Sequence, residues 1–165
     1  MRINIKCSSA IHILLMIALL PDTHKITSEY IASSVGSNPV EIRKLLSSLK
    51  KAGIIEVARG PGGAKLKRMP KDITLLDIYN AVDGAPLDEL IGVHTHPEQQ
   101  CPFGKNISNI LAEPYAEISE TVRQKMASIT LEQLCNRLEE MEPAVKVQLE
   151  TPPGFTRLHY GYYHR

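Results

Sequence analysis

The first strongly apolar segment of the chain predicts a central, buried helix. Every residue from Ala10 to Leu20 except His12 is apolar, and a helix that is apolar on all sides belongs at the centre of a core. Ser8 or Ser9 can cap this helix, and Pro21-Asp22 ends it. The segment is shorter than the ~20 residues needed to cross a bilayer, so we expect no membrane partner.

Two further helices, separated by a glycine, follow this segment. Thr27 stands at the start of the first, whose apolar positions end before Gly36. Asn38-Pro39-Val40-Glu41 has the order of a helix start, with an N-cap, a proline at the first helical position and a glutamate that can complete a capping box. The sequence therefore predicts a short helix, a turn and a second helix over residues 38–52.

The helix over residues 38–52 has two unlike faces. Its apolar residues fall within about 100° of arc at 100° per residue and form a core-facing stripe. The stripe consists of Ile42, Leu45, Leu46 and Leu49. The opposite face carries Val40, Lys44, Ser47 and Lys51, with Arg43 on its flank. A solvated surface is one interpretation of this basic and polar face, and a DNA-reading surface is the other.

A glycine-rich hairpin is predicted after this helix. Residues 54–58 and 65–68 are β-rich or alternate, and Arg59-Gly60-Pro61-Gly62-Gly63-Ala64 lies between them. An arginine beside backbone without side chains can enter a narrow DNA groove, where negative potential is concentrated. A mobile hairpin tip without such a role is the alternative. A phosphate-binding P-loop is excluded, because the sequence lacks its Gly-Lys-Ser/Thr ending.

The rest of the chain predicts longer amphipathic helices. Residues 105–129 carry apolar positions at helical spacing, and residues 131–141 repeat this pattern with Thr130 as the cap. Pro114 removes a backbone hydrogen bond, so two helices split near Glu113 are an alternative to one.

Charge divides the chain into two unlike parts. The 165 residues have a formal net charge of only +1. Through Lys71 there are 12 Lys/Arg and 4 Asp/Glu, a net charge of +8, whereas the remainder has 7 and 14, a net charge of −7. A basic region attracts polyanions and an acidic one repels them. We therefore expect an anionic partner to meet the N-terminal part.

The order of these elements is that of a winged helix-turn-helix. Most of residues 5–140 resemble the IscR/NsrR/CymR family of dimeric bacterial transcription regulators, especially its cluster-free, YwnA-like branch. The stretches that carry the resemblance are Ser9-Ala10-Ile11-His12-Ile13-Leu14, Ile31-Ala32-Ser33-Ser34-Val35, Asn38-Pro39-Val40-Glu41-Ile42-Arg43-Lys44, Leu49-Lys50-Lys51-Ala52-Gly53-Ile54, Arg59-Gly60-Pro61-Gly62-Gly63-Ala64, Ile73-Thr74-Leu75-Leu76-Asp77-Ile78 and Cys101-Pro102-Phe103-Gly104.

The resemblance implies a mainly α fold with a small β-hairpin. The winged helix-turn-helix DNA-binding domain would occupy residues 1–72, and linking and dimerisation helices would occupy residues 73–142. The extension over residues 143–165 lies outside the resemblance, and its role is unknown.

The resemblance also implies that helix 38–52 reads the major groove and that the Arg59 wing enters the adjoining minor groove. Arg43 is the sharpest choice for a base contact, because arginine can pair with both O6 and N7 of guanine, worth ~1–3 kcal/mol of discrimination. A two-fold dimer would bind double-stranded DNA with an inverted repeat. The expected DNA-binding residues are Thr27, Ser37, Asn38, Pro39, Val40, Arg43, Lys44, Ser47, Lys51, Arg59, Gly60, Gly62, Gly63 and Lys65.

The three cysteines, Cys7, Cys101 and Cys135, do not indicate a disulfide framework. Iron–sulfur relatives use three cysteines clustered before the long helix, but only Cys101 lies in that region, so we expect no cofactor and no metal. His94 and His96 could join Cys101 at a zinc ion, but no fourth ligand is evident. Cys101 is a candidate redox sensor, since a helix start can lower the pKa of its thiol; retention for structure alone is the alternative.

The expected function is that of a cytoplasmic, homodimeric, sequence-specific repressor of transcription. Two alternatives stay open at this point: a winged-helix module that binds protein, since fold does not fix function, and a thiol-based redox sensor acting through Cys101. An enzyme is not expected, because no group that would orient a nucleophilic Cys101 with His94 or His96 is indicated.

Overall fold

The computed structural model describes residues 5–21, 26–57, 63–83, 86–89, 91–143 and 145. Over these residues the chain forms six α-helices and one two-stranded hairpin, which confirms the predicted fold class. None of the described helices is both long and apolar enough to cross a membrane. The predicted wing tip with Arg59, Gly60 and Gly62, and the extension from residue 146 onward, lie outside the described residues.

Helix α1, Ile5–Leu19, lies at the centre of the core, as its apolar pattern predicts. Its buried residues are Ala10, Ile13, Leu14 and Ile17. The expected cap at Ser8 or Ser9 is wrong, because the helix begins earlier and the Ser8 hydroxyl donates to the carbonyl of Ile5 at 2.9 Å. Cys7 also packs against the core, although Ile5 in the same turn is 78% exposed.

Helices α2, Ser28–Val35, and α3, Pro39–Lys51, form the helix-turn-helix. Gly36 ends α2 at φ 69°, a left-handed conformation that favours glycine. The Asn38 side chain accepts a hydrogen bond from the Val40 amide at 2.8 Å and caps α3.

The predicted capping box of α3 is wrong in its second half. The Glu41 carboxylate accepts a hydrogen bond from Lys44 Nζ at 2.7 Å instead of reaching back to the cap. A charged partner one turn along the helix competes for this carboxylate.

The hairpin consists of β1, Ile55–Val57, and β2, Ala64–Leu66, which pair antiparallel. Glu56 faces Lys65 across the pair. Ile55 and Ala64 are buried, so one side of the hairpin closes the core while Lys65 is exposed.

Three helices follow the hairpin: α4, Leu75–Val82, α5, Pro102–Ser128, and α6, Leu131–Met141. Thr74 caps α4 and Thr130 caps α6, each within a capping box. The predicted cap at Thr130 is thus confirmed. A bridge joins Thr74 to Thr130 and ties the two helix starts together.

Helix α5 runs unbroken through Pro114, so a split near Glu113 does not occur. Pro114 is exposed. Water can therefore satisfy the carbonyl that loses its helical partner, and a long helix tolerates such a proline.

One apolar cluster joins both parts of the chain. Leu131 and Cys135 of α6 and Ile78 of α4 are buried together with α1, α2, α3 and the hairpin. This core packs against the apolar face of α3, and the opposite face of the helix is exposed to solvent. The boundary at residue 72 and the roles assigned to residues 73–142 and 143–165 stay predictions.

Candidate nucleic-acid interface

The two faces of α3 are those expected from the sequence. Ile42, Leu45 and Leu49 are buried, and Leu46 packs partly buried against the same core. Val40 is 49% exposed although it is aliphatic, which is consistent with a surface that contacts another molecule. Because the core holds the opposite face, the orientation of α3 relative to α2 is fixed.

The predicted DNA-binding residues of α2 and α3 are brought together on this helix-turn-helix. Two lie at helix starts, where backbone N–H groups and the helix dipole favour phosphate. Thr27 Oγ1 accepts from the Tyr30 amide at 3.1 Å, and Asn38 caps α3 as described. The other predicted residues of α3 and its preceding turn are all at least partly exposed: Ser37, Pro39, Val40, Arg43, Lys44, Ser47 and Lys51.

Arg43 is held by the neighbouring helix. Its Nη1 donates to Oε1 of Glu29 at 3.1 Å and to Oγ of Ser28 at 3.2 Å. The Arg43 and Glu29 side chains remain 55% and 66% exposed. The pKa of Glu29 is lowered, first by a hydrogen bond from its own backbone amide, then by the Ser28 hydroxyl and the positive charge of Arg43.

These α2 residues are not predicted from the sequence. Ser28 and Glu29 contact Arg43 from 15 and 14 positions away, so no local spacing reports the contact. Tyr30 is 45% exposed in the same first turn, and a tyrosine hydroxyl can donate to a phosphate. The only sequence signal was their place directly after the Thr27 cap.

The described part of the hairpin lies beyond α3. Gly63 has φ 65°, a conformation that favours glycine. Lys65 projects from β2 and is exposed. Arg59, Gly60 and Gly62 lie outside the described residues, so their predicted contact with the minor groove stays a prediction.

A second exposed feature runs along α5 and is apolar. Phe103 is 84% exposed, Ile110 63% and Ile118 43%. At 100° per residue these three positions lie within about 80° of arc, so they form one stripe, which we call the α5 stripe. The only buried residue of α5, Ser119, lies outside it.

Cys101 lies at the start of α5, where backbone amides act on its thiol. The backbone amides of Gly104 and Phe103 lower its pKa, in that order of effect. By contrast, burial raises the pKa of Cys7 and raises that of Cys135 to about 11. Cys101 is thus the only one of the three cysteines whose pKa is lowered, the direction that favours a reactive thiolate.

The packing of α2 against α3 beside a β-hairpin defines the class: this is a winged helix-turn-helix of the kind that regulates transcription. The model of the Rrf2 family, described as "Iron-dependent Transcriptional regulator", matches residues 3–137. The chain belongs to the Rrf2 family. It is therefore a DNA-binding transcription regulator and not an enzyme, and the predicted family is confirmed.

Relatives and solved structures agree with this membership. YwnA of Bacillus subtilis (strain 168), named "Putative HTH-type transcriptional regulator", is 41% identical over 136 residues, 82% of this chain and 98% of YwnA. The structure of a protein described as "a putative DNA binding protein" is 36% identical with a TM-score of 0.60 and covers 78% of this chain and 97% of that one. CymR, the global cysteine regulator of B. subtilis, has the same fold at 24% identity, with a TM-score of 0.61 over 82% of this chain and 97% of CymR.

The described residues do not bring together the thiolates of the iron centre that the family description suggests. A cluster needs several thiolates that converge on its irons, yet Cys7 and Cys135 lie in α1 and α6 with raised pKa values. His94 and His96 are exposed in the segment before Cys101. Across the described ranges, no three His, Cys, Asp or Glu side chains form a group that could hold a metal ion.

Proposed function

We propose that the protein is a homodimeric, sequence-specific repressor that acts in the cytoplasm without a resident metal. Residues 38–52, which comprise α3 and one flanking residue at each end, read the major groove of duplex DNA. The wing that carries Arg59 enters the adjoining minor groove. Two copies bind the two halves of an inverted repeat.

The observation that carries this proposal is the exposed face shared by α2 and α3. A core-facing stripe fixes α3 on one side, while the capped helix starts and the side chains of Arg43, Lys44 and Lys51 lie exposed on the other. Helix starts and lysines suit phosphates, which position a protein on DNA, and arginine suits the edge of guanine. One surface thus offers both kinds of contact.

Dimerisation is supported by the α5 stripe. A row of large apolar side chains along a 27-residue helix is costly to leave in water. A two-fold axis across this row would bury it against its own copy, and each copy would present one α3 to the same side of the duplex.

The test selects duplexes from a random DNA pool with the wild-type protein and measures their affinity over a salt series. We expect one palindrome and a log affinity that falls linearly with log salt. Arg43→Ala should relax preference at one base pair per half-site, whereas Lys51→Ala should weaken binding about equally on all sequences and reduce the salt slope. A pool without enrichment would refute sequence-specific binding, and transcription unchanged by protein on an operator-bearing promoter would refute repression.

A second role, redox sensing, is favoured by the lowered pKa of Cys101. Peroxide would transfer one oxygen atom to the thiolate, giving a sulfenic acid and hydroxide. Cys101 lies at the start of the helix that carries Phe103 of the α5 stripe. Its oxidation would therefore alter the packing of the two copies against each other at this stripe. DNA affinity is measured before and after mild peroxide; unchanged affinity, or an equal response from Cys101→Ser, would exclude this role.

A further inference from the structure

Three side chains at the α2–α3 contact form a closed set of hydrogen bonds. The Ser28 hydroxyl donates to Glu29 Oε1 at 3.1 Å, and Arg43 Nη1 donates to both Glu29 Oε1 and Ser28 Oγ, at 3.1 and 3.2 Å. Each member therefore contacts the other two. The Arg43 guanidinium is held at one nitrogen by two groups that belong to a different helix.

This arrangement leaves one edge of the guanidinium available. A guanidinium has five N–H donors in a rigid plane, and both hydrogens of Nη1 can be used by Glu29 and Ser28. No partner of Nε or Nη2 is found among the residues that the structure describes. The Nε–Nη2 edge presents two parallel donors, which is the pattern that matches O6 and N7 of guanine.

We propose that Glu29 is a positioning residue that determines specificity, because it fixes Arg43 by Nη1 and directs its Nε–Nη2 edge to a guanine in each half-site. This inference rests on the proposed DNA-binding function. A long side chain that is already ordered loses less conformational freedom on binding. An arginine restricted to one orientation also has fewer ways to form hydrogen bonds with a wrong base pair or with a phosphate.

The negative charge of Glu29 weakens binding to any DNA, whereas its positioning role strengthens binding to the cognate duplex. A carboxylate on a DNA-facing surface repels phosphates, so its removal should strengthen binding to every sequence. A positioning role should instead weaken binding to the cognate duplex relative to duplexes changed at one base pair. Discrimination at that base pair, rather than affinity, is therefore the quantity to measure.

The chain offers a matched control in Glu41. Both glutamates lie in the first turn of a helix of the helix-turn-helix, both are exposed, and each pairs with one cation of α3. Glu41 pairs with Lys44 at 2.7 Å and not with Arg43. Glu29→Gln and Glu41→Gln remove the same charge from the same surface, but only the first removes the carboxylate that holds Arg43.

The experiment uses the full chain and the duplex that the wild-type protein selects from a random pool. Affinities are measured for this duplex and for the set with single base-pair changes in both half-sites. We expect Glu29→Gln to lose about threefold discrimination per half-site, hence about tenfold for the symmetric duplex, at the base pair read by Arg43. Glu41→Gln should keep the wild-type ratio, and Glu29→Gln should have no further effect on the ratio in an Arg43→Ala background.

Each outcome decides the inference. Equal ratios for the wild type and Glu29→Gln would overturn it while leaving DNA binding intact, and so would equal loss in both glutamine variants. A loss spread evenly over all base pairs would show a general effect on folding or charge and would also overturn it. A wild-type protein that selects no duplex would overturn both this inference and the proposed function.

Discussion

Replacement of Ile110 by glutamate tests whether the α5 stripe is the dimer interface. Ile110 lies near the middle of the stripe and is 63% exposed. Burial of a whole isoleucine side chain contributes ~2 kcal/mol, so covering the exposed part contributes about 1.3 kcal/mol per copy and about 2.5 kcal/mol per dimer. Loss of this term raises the dimer Kd about 60-fold, and the cost of burying a charge adds to it.

The assay is sedimentation equilibrium over a range of protein concentrations, with circular dichroism to verify the fold. Glutamate is a good helix former, so α5 should persist. The matched control is Ala112→Glu, since Ala112 is also exposed on α5 and lies about 160° around the helix from Ile110. The control should keep the wild-type Kd.

Two results would refute the reasoning. A wild-type Kd in Ile110→Glu would show that the stripe is not the interface, and a wild-type protein that stays monomeric would show that the stripe is not covered by a second copy. If the reasoning holds, Ile110→Glu should also lose its preference for two half-sites over one, because the linkage between the two α3 helices is gone.

Three further predictions concern metals, thiols and pH. Chelation with EDTA should leave DNA affinity unchanged, and a loss of affinity on chelation would contradict metal-free function. Alkylation at neutral pH, followed by mass spectrometry, should label Cys101 before Cys7 and label Cys135 last, because only the thiolate reacts; labelling of Cys135 first would contradict the assigned pKa order. Burial lowers the pKa of His12, so the unfolded chain binds more protons than the folded one. The free energy of unfolding should therefore decrease as pH falls through about 6.5. Urea unfolding of a His12→Gln variant with the same pH dependence as the wild type would refute this.

Local hydrogen bonding explains which parts of the fold could be predicted from sequence. The cap at Asn38 and the cap at Thr130 each involve residues two or three positions apart, so the sequence alone contains the whole interaction. The starts of α3 and α6 were predicted correctly for that reason. The buried stripe of α3 followed in the same way from helical spacing.

Where the structure departs from a local signal, the cause differs from case to case. Ser8 could cap α1, but the helix begins at Ile5 and the Ser8 hydroxyl donates to the Ile5 carbonyl instead. Pro114 could end α5, but its exposure lets water replace the missing helical bond. The contact of Glu29 with Arg43 depends on how α2 packs on α3, which no short stretch of sequence records.

The charges of α3 suggest that the start and the end of the helix contribute differently to DNA binding. Arg43 and Lys44 near its start are each paired with a carboxylate, which reduces their general attraction for DNA. Within the described ranges, no carboxylate forms an ion pair with Lys50 or Lys51 near its end, so these lysines keep their full attraction for phosphates. We therefore expect the salt dependence of binding to come from the end of α3 and the sequence discrimination from its start. If the paired cations instead dominated the salt slope, Lys51→Ala would leave that slope unchanged and this division would be wrong.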